Sequence, residues 1–541
     1  MRSHRGFAVA LALGAALVTS SACSATAVQS STSTTTTTVA PTRGGALAFG
    51  IEADPNGLDP TRNAFDAVGR QVALSIFDTW MTIGADGTAQ PGLAQSLEHS
   101  ADYREWTIKI RPGVTFTDGT KLDADAAVTS FEAFKSSAVT GTILEKVTAI
   151  DKVDASTIRL TNSDPWASFP YTLYGQIGMV AAPAQLSDPQ GQSRPIGTGP
   201  FKLDSLEINK QIKLVRNPSY WRKDASGTQL PYLDSVTYTV VPDGASRISQ
   251  LQSGTLDAIQ ARSISDTKIL DGLATDPKFT ITHDPGGSES AFIVLNTAKA
   301  PLDDVRVRQA IAYATDVKAL AAQNGWPEAK LTDGPYAANS PWHADVGFPG
   351  HDLAKAKQLV DDYTKATGKP VSIELASPFD ATVLQQIADQ WAAAGIKANV
   401  KIVDARATVL NAVFGQYDAI FFSYFATVDP DENYYFWSGK TAAPVGAFSV
   451  NFSRLRDPQL DAALDAAHGT VDIAARKDAY KTVQERFAQQ VPYVWLYQLD
   501  WIIATHADVK QARFVTTPDG TPAIPYIDGV FAVTETYIAD R

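Results

Sequence analysis

The chain has 541 residues with 46 Lys and Arg against 58 Asp and Glu, and its net charge of -12 offers no basic face for a nucleic acid. Hydrophobic content of 44% and charged content of 19% describe an ordered globular protein, and the length asks for two or three domains. Cys23 is the single cysteine, so an intramolecular disulfide is excluded and core burial must hold the fold.

Residues 1–22 read as a signal peptide. Arg2, His4 and Arg5 precede an apolar run over 6–18 that is short for a membrane span. Ser20, Ser21 and Ala22 then lead to Cys23, which resembles a bacterial lipobox apart from Ser20, where that motif usually carries leucine. Cys23 is therefore the expected lipidation site. Residues 23–43 are rich in Ser and Thr with no amphipathic period, as expected of a lipid-anchored tether.

From Gly44 the pattern becomes globular. A strand is expected over 46–51, then a loop through Asn56 and Leu58-Asp59-Pro60, then a helix carrying Val68, Val72, Ile76 and Phe77 on one side. Trp106, Ile108 and Ile110 alternate with polar residues as in a half-buried strand. Pro112-Gly113 turns the chain, Val114 and Phe116 resume the alternation to form a hairpin, and Asp123 opens a helix with Phe131 and Phe134. Strands are expected near 147–150, 157–161, 212–216, 232–240 and 256–259, with a helix between Asp243 and Gly254. A second series starts near Ala291: a strand over 292–296, a helix capped by Asp303 or Asp304, and another capped by Asp352. A strand over 371–375 and a helix through Leu384, Ile387 and Trp391 follow, ended by Gly395, then a strand over 396–403. Residues 418–422 are almost wholly apolar, as in a strand covered on both faces. Alanine-rich helices over 458–467 and 474–490 precede strand-like stretches at 493–497 and 501–504. Strands alternating with helices over two long stretches point to two α/β lobes.

Nothing in the chain supports catalysis. No G-x-S-x-G, H-E-x-x-H, Walker or C-x-x-C motif occurs, and the seven histidines show no metal-ligand spacing. Asp429, Asp431 and Asn433 alternate like a calcium loop, but Tyr434 stands where that loop needs glycine. Neither a cofactor nor a metal is expected. Aromatics in predicted loops and strand ends, among them Trp326, Trp342, Tyr424 and Phe425, are the better candidates for lining a ligand cleft.

Seven blocks then fall in one order: Leu58-Asp59-Pro60, 91–94 (P-G-L-A), 106–128, 197–201 (G-T-G-P-F), Arg216-Asn217 with Tyr220-Trp221, 251–257 (L-Q-S-G-T-L-D), and 305–316 (V-R-V-R-Q-A-I-A-Y-A-T-D). Over residues 44–505 the chain resembles the extracytoplasmic solute-binding proteins of ABC importers, in the dipeptide, oligopeptide and nickel-binding family (family 5). The resemblance implies an α/β, bilobal periplasmic-binding-protein-like fold with a hinge and a small inserted domain. Lobe I would comprise 44–80, 182–288 and 505–541, inserted domain II 81–181, and lobe III 289–504. It also implies a monomer without enzymatic activity, outside the cytoplasm on the outer face of the cytoplasmic membrane. That protein would capture a peptide or peptide-like solute between the lobes and pass it to ABC permease subunits with their ATPases.

In peptide binders of this family a G-W-x-x-D-x-x-[DE]-P segment lines the cleft, and its first Asp holds the ligand's ammonium. Aligned on Asp429-Pro430, this chain has Ser423 for the Trp and Ala426 for that Asp. It also lacks, from 371 to 395, the arginine that dipeptide binders use for the ligand carboxylate. The expected ligand-binding set is Asn56, Leu58, Trp326, Trp342, Ser423, Tyr424, Phe425, Ala426, Thr427 and Asp429, with Asp431 or Glu432 as substitute carboxylates. Without the two anchors, the alternatives are a peptide held through its backbone or a glycoside, aromatic compound or metal chelate. A surface adhesion or signalling lipoprotein stands further off.

Overall fold

The computed structural model describes residues 41–284, 289–378, 381–424 and 427–539, so Cys23, the leader and most of the tether lie outside the described residues. Short polar side chains start the helices where the sequence places them. Asp123 accepts from the Ala126 amide ahead of the helix Ala124–Lys135, and Asp243, Asp304 and Asp352 cap in the same way. Gly254 and Gly395 adopt the positive φ that ends a helix without a Cβ clash.

The first lobe is built on a seven-stranded sheet. At its centre Ala46–Ile51 runs parallel to Ser235–Val240 on one side and to Ala258–Ala261 on the other. Gln211–Arg216 and Phe201–Glu207 extend it antiparallel on one flank, and Ile502–His506 and Phe279–His283 on the other. The C-terminal segment returns to this lobe, where Phe531, Val533 and Ile538 join the core around Phe49 and Tyr238.

A five-stranded sheet carries the other lobe, in the order Lys397–Ile402, Ser372–Ser377, Ala419–Tyr424, Glu289–Leu295, Tyr493–Leu499. The apolar stretch after Asp418 occupies its middle. Ala419 and Phe421 pack into the core on one face, Ile420 and Phe422 on the other, which is why the strand shows no alternation. Two crossings join the sheets, one between His283 and Glu289 and one between Leu499 and Ile502. The chain thus re-enters the first sheet at Ile502, ahead of the boundary expected at 505, because Ile502 to Thr505 pair with Ala258–Ala261.

Between Trp80 and Val180 the chain makes a four-stranded antiparallel sheet, in the order Ala94–His99, Glu105–Ile110, Thr157–Asn162, Val147–Asp154. The hairpin expected around Pro112-Gly113 does not form. Glu105–Ile110 pairs instead with the strands at 94–99 and 157–162, and residues 114–116 fold back on 120–122 over the turn at Asp118-Gly119, with Val114 and Phe116 buried. Trp106 seals this unit, donating from Nε1 to the Trp166 carbonyl at 3.0 Å and tilting against Phe169. No helix among the described residues is long and apolar enough to cross a membrane.

Candidate ligand cleft

The strand Ala419–Tyr424 carries Ser423 and Tyr424 to the end of its sheet, opposite Ala291 and Ser290. Beyond it Asp429 caps the single turn Pro430–Asn433, and Glu432 returns the bond to the Asp429 amide. That turn fixes three carboxylates in different surroundings.

Asp429 and Arg476 are each 4% exposed in their side chains and meet through both terminal nitrogens of the guanidinium. Burial lifts the Asp429 carboxyl against the pull of that fork, and Arg476 in turn lies 5.0 Å over the Trp342 ring. Asp431 accepts from the Ser168 hydroxyl of the inserted unit and contacts His468 Nδ1 at 2.8 Å. Burial opposes its charge, but His468 and Ser168 outweigh it and hold the carboxyl below its ordinary range. His468 also stacks on Trp166, so the inserted unit is packed directly on the second lobe.

Glu432 is different. It accepts the Tyr174 hydroxyl at 2.7 Å, and among the described residues no Lys, Arg or His lies within ion-pair reach of it. Burial is the main reason its carboxyl is pushed up to about 8. Facing it from the first lobe are Arg70, on the helix Ala67–Ala73, and Asp528, joined at 2.7 Å. Burial raises Asp528 to about 7 in spite of that partner. Nearby Arg262 spans the two sheets, at 2.9 Å from Glu52 and 3.4 Å from Glu289, and lies over the Trp501 ring.

Tyr424 is 41% exposed, yet burial pushes its hydroxyl up, with Arg70, Glu432, Asp528 and Glu289 as charged neighbours. Two cavities adjoin this region. One, of about 70 Å³, is lined by Arg70, Leu74, Met81, Tyr174, Ile527 and Val530 among others. A smaller one of about 10 Å³ lies behind Tyr424 among Phe292, Phe422, Phe436 and Phe452.

The sequence-derived set meets this arrangement only in part. Tyr424 lines the small cavity of the second lobe and has Arg70 and Asp528 of the first lobe among its charged neighbours, and Ser423 precedes it on the strand. Asp429 is corrected: its carboxylate is committed to Arg476 and to capping, inside the second lobe. Leu58 is corrected too, being a core residue at 1% exposure. Trp326 packs on Tyr497 at a ring separation of 4.3 Å, and Trp342 backs Arg476. Asn56 lies exposed in a loop tied to Asn63, and Thr427 contacts Asn433. Phe425 and Ala426 lie outside the described residues. Sequence reasoning missed Arg70, Tyr174, Arg262, Glu289 and Asp528. The one available signal was a charged residue, Arg70, on the apolar helix between Val68 and Val72.

Among the described residues no group of three or more His, Cys, Asp or Glu could hold a metal ion. The model of the bacterial extracellular solute-binding proteins, family 5, matches residues 88–444. The chain is 29% identical over 497 residues to the probable D,D-dipeptide-binding periplasmic protein DdpA of Escherichia coli, covering 87% of this chain and 92% of that protein. Its fold resembles the periplasmic binding protein DppA from Helicobacter pylori in complex with the peptide STSA, at TM-score 0.78 and 22% identity over 92% of this chain and 99% of that one. It resembles equally AgaA in complex with agropinic acid, at TM-score 0.78 and 24% identity over 92% of this chain and 99% of that one. The chain, with its two sheets joined by two crossings and a charged cleft between them, belongs to the bacterial extracellular solute-binding proteins, family 5.

Proposed function

We propose that this protein captures a peptide or peptide-like solute between its lobes outside the cytoplasm and delivers it to the permease subunits of an ABC importer, without catalysing a reaction. The observation that carries this reading is the approach of charged groups from both lobes, with Arg70 on Asp528 in the first lobe and Tyr174 of the inserted unit bonded to Glu432 of the second. A site divided between lobes couples occupancy to closure, which is what a carrier needs. Relatives named for dipeptides support a peptide-like solute, and the agropinic acid complex supports a non-peptide variant of the same role.

The test is uptake together with binding. Deletion of the gene should abolish import of at least one solute that raises the melting temperature of the purified protein. Import unaffected by deletion, with a response only to protein partners, would favour the adhesion or signalling reading.

The proposal includes a lipid anchor at Cys23, carried by the Ser/Thr-rich stretch that follows it. A palmitate analogue should label the wild type and not Cys23→Ala. An unlabelled wild type removes the anchor.

A further inference from the structure

We infer that the cavity of about 70 Å³ beside Arg70 and Tyr174 is a second binding site, for a compact, uncharged, apolar molecule. It lies in the seam between the first lobe and the inserted unit, apart from the solute cleft. The inference goes beyond the transport reading and does not depend on it.

Position separates this site from the cleft. Its wall comes from three stretches of chain: 70–92, where the helix Ala67–Ala73 leads into the inserted unit; 174–222, where the chain returns; and 514–534 of the C-terminal segment. Among the described residues no part of the wall falls between 223 and 513, so the second lobe contributes nothing to it. A molecule held there touches one lobe only, and the closing of the other lobe does not enclose it.

Charge and hydrogen bonding then narrow the class of guest. Each charged side chain on the wall is answered by the protein itself. Arg70 meets Asp528 at 2.7 Å and Arg222 meets Glu535 at 3.6 Å. Asp78 accepts from Trp221 Nε1 at 2.8 Å and from the hydroxyls of Tyr220 at 2.9 Å and Thr198 at 3.1 Å. The Tyr174 hydroxyl is given to Glu432. A charged guest would leave its solvation and find no uncompensated partner, which is costly. An apolar guest asks for no such partner and gains by burial against Leu74, Met81, Met179, Ile524, Ile527 and Val530. A water molecule needs about 10–15 Å³ of such space, so the cavity admits a body of several heavy atoms, and apolar cavities take up solutes such as benzene or xenon.

The methionines supply a separate observation. The chain has three, and two of them, Met81 and Met179, are buried on this one wall, the third being Met1. They stand on the outgoing and returning segments of the inserted unit, which pair through Thr79 and Met179. An unbranched, polarisable thioether repacks around guests of differing shape more readily than a branched aliphatic does, and it is concentrated at adaptable binding surfaces.

The same two residues provide the test. The full chain, unfolded and refolded to strip bound solute, is prepared with 13C in the methionine methyl groups and titrated with benzene in NMR. The Met81 and Met179 signals, assigned through Met81→Leu and Met179→Leu, should move together and saturate. Half-saturation is expected at or below about 1 mM, within reach of so few heavy atoms, while the Met1 signal stays in place. Benzoate, the same ring bearing a charge, should bind at least tenfold more weakly. Val530→Ile and Val530→Phe fill the cavity in two steps. The first should weaken benzene at least threefold and the second should abolish the response, each with a cooperative melt; should the larger substitution not fold, the smaller one carries the comparison. Methyl signals that do not move, a response that never saturates, benzoate binding equal to benzene, or an affinity indifferent to Val530→Ile overturns the assignment.

Discussion

Arg476 answers Asp429 through both terminal nitrogens while its face rests on Trp342 and Tyr480, so neither charge has access to solvent. Removing one member of such a pair leaves the other charge buried alone, which costs about 3–5 kcal/mol. Arg476→Met should therefore lower unfolding free energy in urea by about that amount, and Arg476→Lys should recover only part of it, because an ammonium cannot fill the two-pronged geometry. A loss below about 1 kcal/mol would show that the pair is solvated. Glu432 and Asp528 act in the opposite sense. Their folded-state pKa values, about 8 and about 7, lie above those of the unfolded chain, so the folded protein holds protons that the unfolded chain has released. Stability of the solute-free protein should then fall as pH rises from about 4.5 to 8, by up to about 1.4 kcal/mol per pH unit for each group. Glu432→Gln should flatten that slope, and thermal melts across the range measure it. A flat wild-type profile would mean that neither carboxyl is held protonated.

The elements that sequence made legible are those whose reasons are local. The helix Ala124–Lys135 announces itself through Asp123, which accepts the Ala126 amide at 3.0 Å, and through Phe131 and Phe134 on one face. Asp123→Ala should cost about 1 kcal/mol by loss of that cap and leave solute affinity unchanged, since the helix belongs to the inserted unit and faces its core. A measured change in affinity without a change in stability would place it in the cleft instead. The strand Glu105–Ile110 was equally legible from its alternation, but its partners were not. Val114 and Phe116 alternate and are buried, as a pairing strand would be, yet the neighbours of Glu105–Ile110 come from 94–99 and 157–162. Period reports which face is buried and says nothing of who lies alongside. The site was the least legible part for the same reason. Arg70 and Asp528 are 458 residues apart, and Tyr174 and Glu432 are 258 apart. Asp429, which looked available in sequence, is claimed by Arg476 from a helix 47 residues on.

At the scale of the molecule the question is what holds the lobes together before a solute arrives. Among the described residues the chain passes from one sheet to the other after His283 and after Leu499, and rotation of one lobe against the other would part the contacts across the cleft. Those contacts are made by the chain's own residues. Ser168 and Tyr174 of the inserted unit bond to Asp431 and Glu432, Trp166 stacks on His468, and the Ala167 amide donates to the His468 carbonyl at 2.8 Å. A closed state populated without solute hides the site, whereas an open state admits the solute at the expense of the contacts that retain it. The balance is set by how many contacts cross, and each hydrogen bond shifts it by about 0.5–1.5 kcal/mol. Ser168→Ala with Tyr174→Phe removes two side-chain bonds that cross between the inserted unit and the second lobe and leaves both carboxylates in place. Small-angle scattering of the stripped protein should then show a larger radius of gyration. Solute dissociation should accelerate about threefold or more, because each lost bond served the closed state and neither served the open one. An unchanged radius together with an unchanged dissociation rate would mean that the inserted unit and the second lobe move as one body, and that the closing contacts lie elsewhere, as at Arg262 and Glu289.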